Sequence, residues 1–101
     1  MSDTNYHISN STAVAEQLRS VFERAGIEGV VPVTIRAARW LVEEMERTPY
    51  EFGESREYFE HAEIHKRIVF VPPMYAFFGI HQESRTVFVM KVGWLERKPK
   101  A

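Results

Sequence analysis

The chain has 101 residues, 45% hydrophobic and 27% charged, which fits one small globular domain with a two-layer core. With 13 basic and 14 acidic residues the net charge is −1, so no general basic excess draws the chain to a nucleic-acid backbone. Cysteine is absent, which excludes disulfides and thiolate metal sites, and no apolar run approaches the roughly 20 residues of a membrane span.

The opening MSDTNYHIS is polar and lacks a basic-then-apolar leader, an expectation of a cytoplasmic protein. Asn5–Ser9 alternates Tyr6 and Ile8 with polar neighbours and predicts a short leading strand. Asn10, Ser11 and Thr12 are helix-capping types, and Val14, Leu18, Val21, Phe22 and Ala25 form one helical stripe. A helix over Thr12–Ala25, stopped by Gly26, follows. Gly29 to Pro32 is a connector to a second helix, capped by Thr34 and running to Arg47. Its stripe reads Ile35, Ala38, Leu41, Val42 and Met45, and Trp40 sits at the rim. Thr48-Pro49 ends it, because the residue before proline avoids the helical region. Tyr50–Glu63 reads as a loop with at most one helical turn after Ser55.

Strands rich in β-branched and aromatic residues come last, over Ile64–Val71, Met74–His81 and Arg85–Leu95. Pro72-Pro73 breaks the first connection and Gln82-Glu83-Ser84 makes the second a short hairpin. Alternation assigns Ile64, Ile68 and Phe70 to one face, with Lys66 as the exception, together with Met74, Ala76, Phe78 and Ile80 and with Thr86, Phe88, Met90 and Val92. The opposite face carries His65, Arg67, Tyr75, Phe77, His81, Val89 and Lys91. A three-residue hairpin loop pairs Ile80 with Thr86, Phe78 with Phe88 and Ala76 with Met90, and sets Tyr75 beside Lys91. A loop one residue longer would carry Lys91 into the core, where an ammonium is costly, so the shorter loop is expected. The fold class is therefore α+β: a short strand, a two-helix hairpin, and an antiparallel meander whose one face the helices cover. Residues 1–101 form a single domain, with 1–4 and 97–101 read as disordered tails, the latter basic through Arg97, Lys98 and Lys100.

His61 and His65 stand four apart, but on a segment entering a strand they lie about 13 Å from one another, so no metal site is expected there. No Gly-rich phosphate loop or nucleophile elbow is present, and no cofactor is expected. The mixed sheet face is the candidate binding surface, with His65, Arg67, Tyr75, Phe77, His81 and Lys91 as its residues. Arg67, Tyr75 and Lys91 are its catalytic candidates, since cations beside an aromatic suit phosphates and stacked bases. The plainer reading is a face covered by a partner chain.

On this pattern the chain resembles the RelE/ParE family of small bacterial toxins. The order strand, helix, helix, meander is similar over nearly the whole length, and the hairpin YAFFGIHQESRTVFVMKVGWLER, Tyr75 to Arg97, resembles that family's last two strands. Phe52-Gly53-Glu54 is similar to a family connector. The resemblance implies a RelE-like β-α-α-β-β-β fold and a partner that is an antitoxin peptide or a second copy, with contact to RNA, the ribosome or gyrase and none to membrane. The mRNA-cleaving members carry lysines on the first meander strand, an arginine entering the second, and an arginine just after the final Val-Gly. Lys66 and Arg67 answer the first requirement, while Tyr75 or Ala76 and Trp94 or Leu95 stand at the other two. Two cations are missing, so the expectation is a toxin component or toxin-derived binding protein without efficient catalysis. The alternatives are a ribosome-dependent mRNA endonuclease using Arg67, Lys91 and Tyr75 or a histidine, and a non-toxic structural homodimer.

Overall fold

The computed structural model describes residues 5–96. The expectations for residues 1–4 and 97–101 lie outside the described residues. In order come β1 (His7–Asn10), α1 (Thr12–Glu28), α2 (Val31–Arg47), a 3₁₀ turn (Pro49–Glu51), β2 (Glu54–Phe59), β3 (Ile64–Val71), β4 (Met74–His81) and β5 (Thr86–Trp94). The α+β class and the helical hairpin on one face of a meander are as the pattern predicts. The sheet has five strands in the order β1-β5-β4-β3-β2, with β1 parallel to β5 and the other pairs antiparallel.

Both helices start and stop for local reasons, and two of those differ from expectation. Ser11 caps α1, its hydroxyl accepting from the Val14 amide at 3.2 Å. The helix then runs through Gly26 and stops at Gly29, whose φ of 73° is left-handed. There the Val30 amide donates back to the Ala25 carbonyl at 2.9 Å, closing the last turn in a Schellman-type arrangement. Of two closely spaced glycines, the one that allows this closure ends the helix. In α2, Thr34 is no cap. It lies fully buried inside the first turn, its hydroxyl donating to the Val30 carbonyl at 2.8 Å, while Pro32 occupies the opening turn that needs no amide partner. The buried stripe of α2 is Thr34, Ala37, Leu41 and Met45, so Ile35 and Val42 are exposed. Two overlapping stripes share Leu41 and Met45. Small Thr34 and Ala37 lie on the buried one.

Tyr50–Glu63 is not a loop. Its middle forms β2, all six residues exposed, at the edge of the sheet against β3. Five glutamates in the segment and a bulge between Ser55 and Glu57 erase the period-2 pattern that would have marked it as a strand.

The meander strands fall where the sequence sets them, but two turns change which side chains point inward. Val71 pairs with Met74, so Pro72-Pro73 is a two-residue turn, and residues facing one another across it share a face. Because Met74 points inward, so do Val71, Val69, Arg67 and His65, while Ile64, Lys66, Ile68 and Phe70 point outward. The β4–β5 turn is one residue longer than expected, pairing His81 with Thr86 and Ile80 with Val87. Lys91 still stays off the core, because Met90 is an extra bulged residue: Phe78 pairs with Val89, and Phe77 with Lys91. The core face of β5 is thus Val87, Val89, Val92 and Trp94, in place of Thr86, Phe88, Met90 and Val92.

Phe78, Met74, Ile80 and Val87 are fully buried under the helices, with Leu41 and Met45 above them. Leu18 and Phe22 are only partly buried. Phe70, Phe88 and Met90, expected in the core, are 50%, 38% and 37% exposed on the far face. No helix among the described residues is long and apolar enough to cross a membrane.

Candidate binding surface

Both helices pack on one side, which leaves the other face of the sheet open. Strand alternation sends Tyr75, Phe77, Gly79 and His81 of β4 to that face, opposite Gly93, Lys91, Phe88 and Thr86 of β5 and Phe70, Ile68, Lys66 and Ile64 of β3. Phe59, Glu54 and Glu57 of β2 extend it to the edge. Three rings form a row down its middle, with Phe70 to Tyr75 centroids 6.5 Å apart and Tyr75 to Phe77 6.1 Å, the latter pair edge to face. Two of the rings carry an ammonium: Lys91 Nζ lies 5.9 Å from the centre of the middle ring, Tyr75, and Lys66 Nζ 5.1 Å from that of Phe77 at one end. Glu57 lies 3.9 Å from Lys66, an exposed and therefore weak pair.

Two glycines shape this surface. A Cβ added at Gly93 would lie 2.6 Å from the Tyr75 ring, so the missing side chain is the seat in which that ring lies. A Cβ at Gly79 would lie 2.5 Å from Ile64 Cγ2 and 2.6 Å from Met90 Cε, so the bulged methionine closes over that position. The result is an apolar, aromatic-rich face with Lys66 and Lys91 against its rings.

Of the residues expected to share a site, Tyr75, Phe77, His81 and Lys91 do lie on this face, and His65 and Arg67 do not. The two-residue Pro72-Pro73 turn is the physical reason, since it reverses the phase of β3. Arg67 is engaged on the helix side, where Nε donates to the Phe52 carbonyl at 2.9 Å and Nη2 to the Gly53 carbonyl at 2.8 Å. It fastens the chain just before β2. His65 sits between Tyr58 and Tyr50, ring centres 4.4 and 5.3 Å away, and burial pushes the Tyr50 phenol above its ordinary range, with Tyr6 and Tyr58 adding to the effect. The triad Arg67, Tyr75 and Lys91 therefore does not converge. Sequence reasoning missed Lys66, Phe70 and Phe88, and the length of the two turns is the signal that would have found them.

His81 stands at the hairpin corner, Nδ1 2.6 Å from Ser84 Oγ, which itself donates to Thr86 Oγ1 at 3.0 Å. Among the described residues, Glu63, His81 and Glu83 bring one ligand atom each within 4.8 Å of one another, a spacing a divalent cation would fit and exposed acidic groups also adopt without one. On the helix side, a crevice of 170 Å³ runs between α1 and α2 over Leu18, Leu41, Val42 and Val89. A wider cleft of 620 Å³ lies where Arg24 covers the Trp94 ring and pairs with Glu96 at 2.8 Å. No family model matches this chain, and neither a curated protein nor a solved structure matches it.

Proposed function

We propose that this chain is a cytoplasmic RelE/ParE-like binding protein, a toxin component or a descendant of one, that works by seating a macromolecule such as an antitoxin segment on its helix-free sheet face, without efficient catalysis. The observation that carries the reading is the row of exposed Phe70 and partly buried Tyr75 and Phe77 on the helix-free face, with Lys66 and Lys91 against its rings. Such a surface is larger and more apolar than scattered exposed side chains, and patches of that kind mark interaction sites. Rigid aromatic anchors supply contact area at low entropic cost, and the ammonium groups add preference for an acidic or phosphate-bearing partner.

Two further observations support binding over cleavage. Arg67, the cation best suited to bridge a phosphate, is committed to the Phe52 and Gly53 carbonyls on the opposite face. Trp94 follows the Val-Gly of β5, and it points inward. Stabilising the charge of a phosphoryl transition state requires preorganised cations around it, and the two lysines here each rest over a separate ring. The second reading, a ribosome-dependent mRNA endonuclease, draws on the same rings, which suit stacked bases. Induced expression in bacteria, followed by growth and mRNA integrity, separates the two. Growth arrest with intact mRNA is the expected result. Cleavage of mRNA in translating ribosomes selects the nuclease reading, and undisturbed growth with no partner bound removes the toxin reading altogether.

A further inference from the structure

The edge strand β2 offers a second surface, independent of the open face. We propose that two copies of the chain join through β2, antiparallel about a two-fold axis between Arg56 and Glu57, into one continuous sheet. β2 pairs with β3 along one side, and no strand among the described residues pairs with its other side. All six of its residues are exposed. A free strand edge is a template for another strand, and charges, proline and bulges are the usual devices that blunt it. The sequence of β2, ESREYF, has no proline and mixes both signs at its centre.

That mixture is self-complementary. In the antiparallel pairing, Arg56 of each copy faces Glu57 of the other, so one contact of opposite charge is made twice by symmetry. Arg56 has no side-chain hydrogen bond or ion pair among the described residues, and Glu57 has only its 3.9 Å contact with Lys66. The bulge is what makes this register possible. In an unbulged strand, a two-fold axis normal to the sheet keeps faces matched only when the facing residues differ by an even number. That would set Arg56 against Arg56 or Glu57 against Glu57. Here the pleat shifts by one at Arg56, so Glu54, Glu57 and Phe59 share the helix-free face while Ser55 and Tyr58 share the other. The pairings Glu54 with Phe59 and Ser55 with Tyr58 then join like faces, and the exposed Tyr58 and Phe59 rings come to flank the axis. The two open faces become one surface. A single strand edge covers less than the roughly 1,200 Å² of a standard interface, so the dimer is weak and reversible.

Sedimentation equilibrium of the full chain, carried into the millimolar range, tests this. The native chain is expected to dimerise, more weakly as salt rises because the paired charges are exposed. Arg56→Glu and Glu57→Arg each set like charges face to face twice, and each should raise the dimer dissociation constant by about tenfold or more. The double exchange Arg56→Glu with Glu57→Arg restores both contacts and should return it to near the native value. Far-UV circular dichroism checks that each variant keeps the fold, and the salt dependence of the native dimer decides the matter if one does not. A native chain that stays monomeric, a dimer indifferent to salt or to the single exchanges, or a double exchange as weak as the singles would overturn the proposal. So would loss of the dimer in Phe70→Ser, which would move the contact to the open face and leave the binding reading to be tested apart from it.

Discussion

The two faces of this sheet are built from the same strands by the same alternation, yet they have different fates. Phe78 and Phe77 are neighbours in β4: the first is fully buried beneath the helices, while the second is only partly buried, between Tyr75 and Lys66. On the covered face, the fully buried side chains of the sheet are aliphatic or aromatic and fill space, so their worth is stability. On the open face, comparable aromatic area is held in water, where it stabilises little. Such area is retained without a folding role, which is why the proposed binding activity is assigned there. The helix side also holds cations, but Arg67 serves the backbone, whereas Lys66 and Lys91 present their charge outward over rings.

Substitutions sharpen that contrast. The largest effect is expected from Phe78→Ala, which empties a fully enclosed site and should cost roughly 3–5 kcal/mol by chemical denaturation, against about 1 kcal/mol or less for Phe77→Ala. Equal losses at the two positions would break the distinction between the faces. Next is Arg67→Ala, which frees the carbonyls of Phe52 and Gly53 and should cost about 1–2 kcal/mol. Its mark is local: amide exchange in β2 should quicken while β4 stays protected, and unchanged β2 protection would show that the clamp does nothing. Gly93→Ala should cost about 1 kcal/mol as the Tyr75 ring leaves its seat, with near-ultraviolet dichroism changing more than far-ultraviolet. The smallest effect is alkaline. A Tyr50 phenol pushed up by burial holds its proton more tightly in the folded chain, so its contribution is full below about pH 10 and fades as pH rises through the higher folded value. Tyr50→Phe should flatten the decline of stability above pH 10, and an identical decline in both proteins would contradict the assignment.

The strands at Ile64, Met74 and Thr86 were legible because β-branched and aromatic runs end at prolines or polar turns. Facing was less legible, because it depends on turn length by a single residue. Phe70 and Phe88 look like core residues until Val71 is set opposite Met74 and His81 opposite Thr86. The rule that an ammonium avoids the core was sound. It led to a short loop because a bulge at Met90, which satisfies the same rule with a longer loop, has no simple sequence signal. β2 escaped notice for a related reason, since an edge strand with charges and a bulge lacks both hydrophobicity and period. Tyr75, Phe77, His81 and Lys91 lie on the face that alternation assigns to them, while His65 and Arg67 follow β3 to the other side.

The most direct test of the open face is a variant that alters only that face. Phe70→Ser combined with Lys91→Glu changes one exposed ring and one exposed cation, and exposed substitutions usually shift stability by no more than about 0.5 kcal/mol each. Expressed beside the native chain at matched levels and matched melting temperature, this variant should lose the growth arrest or partner binding proposed for the native protein. Full retention of either activity by a folded variant would contradict the assignment of function to the helix-free face.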